Sequence, residues 1–468
     1  MDPEDILTRL QAIVGQRFIS IDQAELWCYT GNLLPVNPQA VILPGSLEEV
    51  VKVVQLATET RTSLIPRGFA TRSTPRRPGL HPSTEGGWIL ETTRLKAIRE
   101  VNLDNMTVTA EAGVTMAQLC NHLAPIGYRV IDGSLAPYCA TVGSLTGVGP
   151  GLRKYGRREA QILDIEVVLT GGKIIHTAES EGKGFNLTSV FCGCQGFTCL
   201  GVITAVTYQM QAIPEALEYL NFEFTDSTDT ISFLSAIDHA SPTNLPGVFQ
   251  VNSWPKEVFK LYANMPWIEN ESSDWRQLLS RYPPFPNDIV GIIIEGNKDQ
   301  VQVECQTIQN MARNHRGIFV GPEPIRDYFV NRNWNGNTKC HEDVAKHTTS
   351  WAEPFFLCRI KDYGLMKELV SQVAEEYGFR IGERFWARGT LRKGWIGYTA
   401  CVTFDDTDLA DRTRAMQFVD HALLLANQVG LTSMRNQQSE DVAGVVLARI
   451  KDELDPLGIM YPGIFYLD

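Results

Sequence analysis

Basic residues are in the minority in this sequence: 42 lysines and arginines stand against 54 aspartates and glutamates, a formal charge of −12. A net negative field works against broad contact with phosphate backbones, which argues against a nucleic-acid partner. No window supplies about 20 consecutive apolar residues, so no membrane span is expected. The opening stretch, MDPEDILTRLQAIVG, is acidic with an amphipathic helical pattern and lacks the basic start and apolar core of a secretory signal. Cysteine is sparse, with 10 residues scattered through 468. That usage points to reduced thiols in a cytoplasm, not to a disulfide framework.

Familiar catalytic signatures are missing as well. A dinucleotide-binding G-x-G-x-x-G would have to lie between strand and helix, but Gly147-Val148-Gly149-Pro150-Gly151 has the wrong spacing and a proline where the helix should open. Gly172-Lys173 lacks the upstream glycine and the hydroxyl of a phosphate loop. His341-Glu342 is followed by His347, too far along to place both imidazoles on one helix face as zinc proteases require. Cys192, Cys194 and Cys199 have apolar neighbours in Phe191, Phe197 and Leu200, which favours buried packing over a metal site. The serine nucleophile elbow G-x-S-x-G is absent. No metal is expected.

What is present is material for a core. Apolar residues make up 44% of the chain, with 9 Trp, 14 Tyr and 20 Phe, and the length fits two or three domains. From Ala40, AVILPGS reads as a strand, followed by a helix over LEEVVKVVQLATET with Ser46 as N-cap and Glu48 and Glu49 in its first turn. TSLIPRG, GGWILETTRL and MTVTAEAGV read as β-rich runs, and TMAQLCNHLAPIG as helical. DIEVVLTGGKIIHT reads as a hairpin closed by Gly171 and Gly172, and LGVITAVTYQMQAI as a strand ending near Pro214. Beyond Pro214 long helical stretches, DQVQVECQTIQNMARN and LMKELVSQVAEEYG, alternate with β-like NDIVGIIIEG and GWIGYTACVTFDD. Segregated helices and strands predict a separate α+β domain. The Pro-rich stretch from Pro266 to about 287 reads as a connecting loop.

Three glycine-containing turns in the first half carry the chemical signal. They are Pro66-Arg67-Gly68-Phe69-Ala70-Thr71-Arg72-Ser73, then Ala140-Thr141-Val142-Gly143-Ser144 running on to Gly147–Gly151 and Lys154-Tyr155-Gly156, and then Cys192-Gly193-Cys194-Gln195-Gly196 leading to Gly201-Val202-Ile203-Thr204. Successive backbone N–H groups in such turns form anion nests, and missing side chains let the main chain approach a flat or extended ligand. With the entry Pro44, Ser46, Glu48, Glu49 and Val50 and the tail Leu454-Asp455-Pro456-Leu457-Gly458-Ile459-Met460-Tyr461-Pro462-Gly463, this ordered series resembles the vanillyl-alcohol oxidase and 4-cresol dehydrogenase (PCMH-type FAD-binding) superfamily. Glycolate oxidase and D-lactate dehydrogenase flavin subunits are related to that group.

The resemblance implies an α+β fold: an FAD-binding domain of two α+β subdomains with an α+β cap, or substrate, domain. It sets out a helical segment over 1–35, the FAD domain over 36–212, the cap over 213–430, and a C-terminal segment over 431–468 that returns to the FAD domain. FAD contacts fall on Arg67, Gly68, Phe69, Ala70, Thr71, Thr141, Gly143, Ser144, Gly147, Gly196, Val202 and Ile203. The chain departs from the family in two ways. The H-x-G-D-G-N-x-H metal motif of hydroxy-acid dehydrogenases is replaced by Gly378-Phe379-Arg380-Ile381-Gly382-Glu383-Arg384-Phe385, which contains no histidine. Arg157 and Met434 stand where phenol oxidases have an aspartate and a tyrosine. No histidine is present in the PRG turn or in 384–398 to bond the flavin covalently, so FAD is expected to be noncovalent.

Arg435 and Arg157 would favour an anionic group in the substrate, since an arginine fork matches a carboxylate, although a salt bridge at the surface or domain interface fits them as well. Tyr398 and Tyr328 are candidates to orient a hydroxyl or act as acid/base, although isolated tyrosines in aromatic-rich segments are more often core residues. The implied activity is hydride removal from a C–H bond of an alcohol or hydroxy acid to flavin N5. A phenol-type oxidase or biosynthetic tailoring desaturase is the alternative, and a catalytically silent FAD-binding subunit is the alternative of another class. A small-molecule substrate is expected, and the assembly state is open, with a homodimer among the options.

Overall fold

The computed structural model of the protein describes residues 2–27, 29, 37–69, 87–131, 153–156, 158–180, 182–183, 186–193, 200–240, 243–255, 288–321, 349–352, 354–380, 385–405, 408–433 and 442–462. It divides into two compact units: Met1–Gly149, Arg157–Ala212 and Asn436–Asp468 form one, and Pro150–Gly156 with Ile213–Arg435 form the other.

The first unit holds two sheets. In the smaller, strands Ala40–Ile42, Trp88–Glu91 and Leu64–Arg67 run parallel, with Ile19–Ser20 antiparallel at one edge. Helix Leu47–Thr60 crosses over between two of these strands. Ser46 Oγ accepts from the Glu49 N–H at 3.2 Å, while the Glu49 carboxylate accepts from the Gly45 N–H at 2.7 Å, which satisfies N-terminal donors that the helix cannot. The helix buries Val50, Val53, Val54 and Ala57, the spacing of one apolar face. Helix Pro3–Val14, set apart as its own segment in the sequence reading, is part of this unit because Leu10 and Val14 enter the same core.

The second sheet of this unit has six strands, mostly antiparallel neighbours of the long strand Val202–Ala212. Its Ile162–Val168 and Ile174–His176 strands form the hairpin expected at Gly171 and Gly172, which adopt φ of +82° and +84°, a conformation that side chains with a Cβ rarely take.

The C-terminal segment returns to the first sheet. The Leu64 N–H donates to Ile459 O at 2.7 Å and the Tyr461 N–H to Leu64 O at 2.9 Å, extending the sheet beside strand Leu64–Arg67. Pro66 sits in that edge strand, one of the few strand positions a proline tolerates. Below the tail Lys451 and Asp455 are fully buried as an ion pair at 2.7 Å. The Asp455 carboxylate also accepts from Thr170 Oγ1 at 2.7 Å and from the N–H groups of Ile459 and Met460, and Lys451 donates to Met460 O.

The other unit is a nine-stranded antiparallel sheet with helices Ser227–Ala240, Lys298–Asn314, Tyr363–Glu376 and Leu409–Gln428 on one face. Alternate residues of each strand, such as Phe222, Val290, Ile292, Ile396, Tyr398 and Val402, pack with Phe233, Ile308, Val370 and Phe418 of those helices. Asp288 is buried at one strand end, where Lys367 pairs with it and the hydroxyls of Thr230 and Ser227 donate to it. Residues 153–156 belong here, not with the FAD domain as the sequence reading has them, because their side chains are anchored in this unit. Arg153 pairs with Asp238, and Lys154 and Tyr155 both reach Glu295.

Candidate functional site

In the first unit the turn Pro66-Arg67-Gly68-Phe69 leaves the carboxyl end of a parallel strand, the edge at which ligands of such sheets bind. The Arg67 guanidinium lies 4.5 Å from the centroid of the Tyr29 ring, and Thr92 Oγ1 donates to Arg67 O at 3.3 Å. Burial, then a hydrogen bond to Glu91, pushes the Tyr29 phenol up to about 12, so it stays protonated beside the arginine. Glu91 ends the neighbouring strand and accepts from Thr93 Oγ1 at 2.6 Å. Phe69, at the end of the described turn, is partly exposed.

Val202 and Ile203 begin the long strand of the second sheet, paired with Val168 and Val167. Both side chains are buried in the core, which leaves only their main chain for a cofactor. Gly201 before them fits tightly: a Cβ there would lie 2.7 Å from Val167 Cγ1 and 2.9 Å from Val168 O.

In the second unit the sheet face opposite the helices carries a polar row between buried apolar residues such as Ile289, Ile293 and Trp254. Register aligns Asn221, Gly291, Asn252, Thr390 and Gly397 in one row across five strands. Asn221, Asn252 and Thr390 are buried, as are Gln250 and Thr399 nearby. Thr390 Oγ1 donates to Asn252 Oδ1 at 3.0 Å and Gln250 Nε2 to the same oxygen at 3.2 Å. Glu295 is fully buried and accepts from the Tyr155 hydroxyl at 2.6 Å, with Lys154 Nζ at 3.3 Å. The sequence reading missed Tyr29, Gln250, Asn252, Glu295 and Thr390. The one available signal was the polar pair Gln250 and Asn252, two apart and so on one face of a strand that also carries Ser253.

Tyr398, a candidate acid/base in the sequence, is corrected by its position. It is fully buried on the helix-covered face, its ring 5.9 Å from that of Tyr363, and burial holds its phenol far above the ordinary range. A group enclosed in that core packs; it does not meet a substrate. Cys192 is likewise a buried core residue. Ala70, Thr71, Thr141, Gly143, Ser144, Gly147, Arg157, Gly196, Tyr328 and Arg435 lie outside the described residues, as do Cys194, Cys199, His341 and the 266–287 stretch.

Comparison with known proteins bears on this arrangement. Residues 38–178, which include the parallel sheet and its PRG turn, match the FAD binding domain family. The chain is 29% identical over 452 residues to the mitochondrial D-lactate dehydrogenase (cytochrome) of Arabidopsis thaliana, covering 91% of this chain and 73% of that protein. The chain therefore carries an FAD binding domain. Another relative, a probable mitochondrial D-lactate dehydrogenase of Danio rerio, is 29% identical over 188 residues, 38% of this chain and 36% of that protein. The solved structure of p-cresol methylhydroxylase with substrate bound has the same fold, with a TM-score of 0.82 at 16% identity over 99% of this chain and 97% of that one.

FAD is the cofactor of this chain. The described residues suit it: a guanidinium and a small residue follow each other in the turn at the carboxyl edge of a parallel sheet, where an anionic diphosphate finds clustered donors. Among the described residues no helix is long and apolar enough to cross a membrane.

Proposed function

We propose that this protein oxidises a small alcohol or hydroxy acid, removing a hydride from a C–H bond. FAD, when bound, supplies the two-electron chemistry and accepts the hydride at N5. The chain supplies position and field. Arg67, Gly68, Phe69, Ala70 and Thr71 clasp the diphosphate, Thr141, Gly143, Ser144 and Gly147 follow the ribityl chain and ring, and Gly196, Val202 and Ile203 hold the adenine side. Arg435 holds an anionic oxygen of the substrate, Arg157 adds positive potential beside it, and Tyr328 orients a hydroxyl. Retention of FAD is noncovalent, and the protein works in the cytoplasm.

One observation carries this reading: the PRG turn sits at the carboxyl edge of a parallel sheet inside the stretch that matches the FAD binding domain family. The names of two relatives, both D-lactate dehydrogenases, favour a hydroxy acid.

The purified protein should be yellow and release FAD on heating, and a colourless protein that cannot be reconstituted would reject the reading. Without oxygen, D-lactate or glycolate should bleach the bound flavin while 4-ethylphenol and vanillyl alcohol do not. Bleaching by the phenols would favour phenol-type oxidation, and bleaching by nothing would leave a silent subunit. Arg435→Ala should raise KM for the hydroxy acid about tenfold or more, as loss of a charge-assisted hydrogen bond does.

A further inference from the structure

Arg67 and Glu91 are register partners on adjacent parallel strands, so their side chains leave the sheet on one face, at the edge where the PRG turn begins. Opposite charges at that spacing attract each other. Tyr29 touches both. Its ring packs 4.5 Å from the Arg67 guanidinium, and its phenol donates to the Glu91 carboxylate, which also accepts from Thr93 Oγ1 at 2.6 Å. A guanidinium stacked by its face still donates through its edge, and a carboxylate holding two hydroxyls competes less for it than a bare one. Tyr29 is itself anchored. Asp22 caps the short helix Gln23–Trp27 through the N–H groups of Ala24 and Glu25, Leu26 is buried against Val41 and Ile89 of the same sheet, and the Tyr29 N–H donates to Leu26 O at 2.9 Å.

We propose that Tyr29 is a positioning residue for FAD: its ring holds the Arg67 guanidinium in place for the anionic diphosphate, and its hydroxyl keeps the neighbouring carboxylate occupied. The proposal rests on the reading of Arg67 as a diphosphate contact, and it adds a residue that lies outside the matched stretch 38–178. The physical reason is electrostatic. Stacking on an aromatic ring stabilises a cation without neutralising it, whereas an ion pair with Glu91 would cancel the charge that a diphosphate needs. Stacking also restricts a long side chain with many rotamers, so less freedom is lost when the anion binds.

The test is a double-mutant cycle on the full-length apoprotein, read as FAD affinity by fluorescence titration, with Arg67→Ala as the second change. Tyr29→Leu removes ring and hydroxyl and should weaken FAD binding about tenfold. Tyr29→Phe keeps the ring and should weaken it about threefold, as loss of one hydrogen bond does. In the Arg67→Ala background both changes should be silent to within about twofold. A Tyr29 that only packs the N-terminal segment would lower the melting temperature of the apoprotein and weaken FAD binding equally in both backgrounds, and that result overturns the proposal. Should Tyr29→Leu fail to fold, Tyr29→Phe carries the same comparison. Affinity that falls in Arg67→Ala and in neither Tyr29 variant would reject this inference alone. Affinity unchanged in Arg67→Ala would reject the diphosphate contact and this inference with it, and a protein that takes up no FAD would reject the flavin reading as well.

Discussion

The first unit offers main chain and the Arg67 guanidinium at one sheet edge. Its parallel strands end at one edge, a proline and a glycine bend the chain there, and Val202 and Ile203 keep their side chains in the core. The second unit offers an antiparallel face on which alternate residues supply the polar groups, as Asn252 and Thr390 do on neighbouring strands. Each unit also encloses a lysine–aspartate pair, with different work to do. Lys451 and Asp455 hold the returning tail to a sheet built hundreds of residues earlier, while Lys367 and Asp288 join a helix to a strand end within one domain. A main-chain site constrains backbone shape and so fixes glycines and prolines. A side-chain site constrains only what stands at alternate positions, and can change its ligand without changing its fold.

The two ion pairs give the largest predicted effects. Asp455→Ala should cost about 3–5 kcal/mol because it breaks a fully buried ion pair. It should lower the temperature at which flavin fluorescence is released. Asp288→Ala should cost a similar amount by calorimetry yet leave flavin retention close to normal, and equal flavin loss in both variants would break the distinction between the units. Arg67→Ala comes next: titration of apoprotein with FAD should show affinity reduced about tenfold to a hundredfold, as expected for a charged hydrogen-bond donor. Gly201→Ala should destabilise the first unit by about 1–3 kcal/mol in denaturant titrations, since its Cβ would meet a neighbouring carbonyl as well as Val167.

The smallest effect near neutrality is alkaline. Burial pushes the Cys358 thiol up to about 12 from an ordinary value near 9, and holds the Tyr363 and Tyr398 phenols well above theirs. These groups keep their protons longer folded than unfolded, so their contribution is complete below about pH 9 and is lost as pH rises toward 12. The second unit should therefore unfold at falling temperatures across that window, with phenolate absorbance from the two tyrosines rising only as it unfolds.

The same contrast decides how much of the molecule was legible in its sequence. The 40–67 strand–helix–strand run, the hairpin at Gly171 and Gly172, and the strand from Val202 are marked by caps, apolar periodicity and obligatory glycines. These signals are local, so the PRG turn could be found from them. The polar row has no local signal. Asn252 and Thr390 are 138 positions apart, and only strand register joins them. Tyr398 failed for a related reason. Its strand alternates cleanly and a phenol in an apolar run is more often filling than a tool, but nothing within the strand says which face the helices will cover. The placement of residues 153–156 was hidden too, because Asp238 and Glu295, which anchor them, lie far ahead in the chain.

The tail that hydrogen-bonds to Leu64 has a consequence for synthesis. The sheet bearing the PRG turn lacks its last edge until Tyr461 has left the ribosome, whereas the strands and helices of the second unit have all emerged by residue 433. The inserted unit can therefore mature on the nascent chain while its host waits, half-assembled, for the closing residues. A translation product that stops short of Lys451 would carry a finished insert on an open frame.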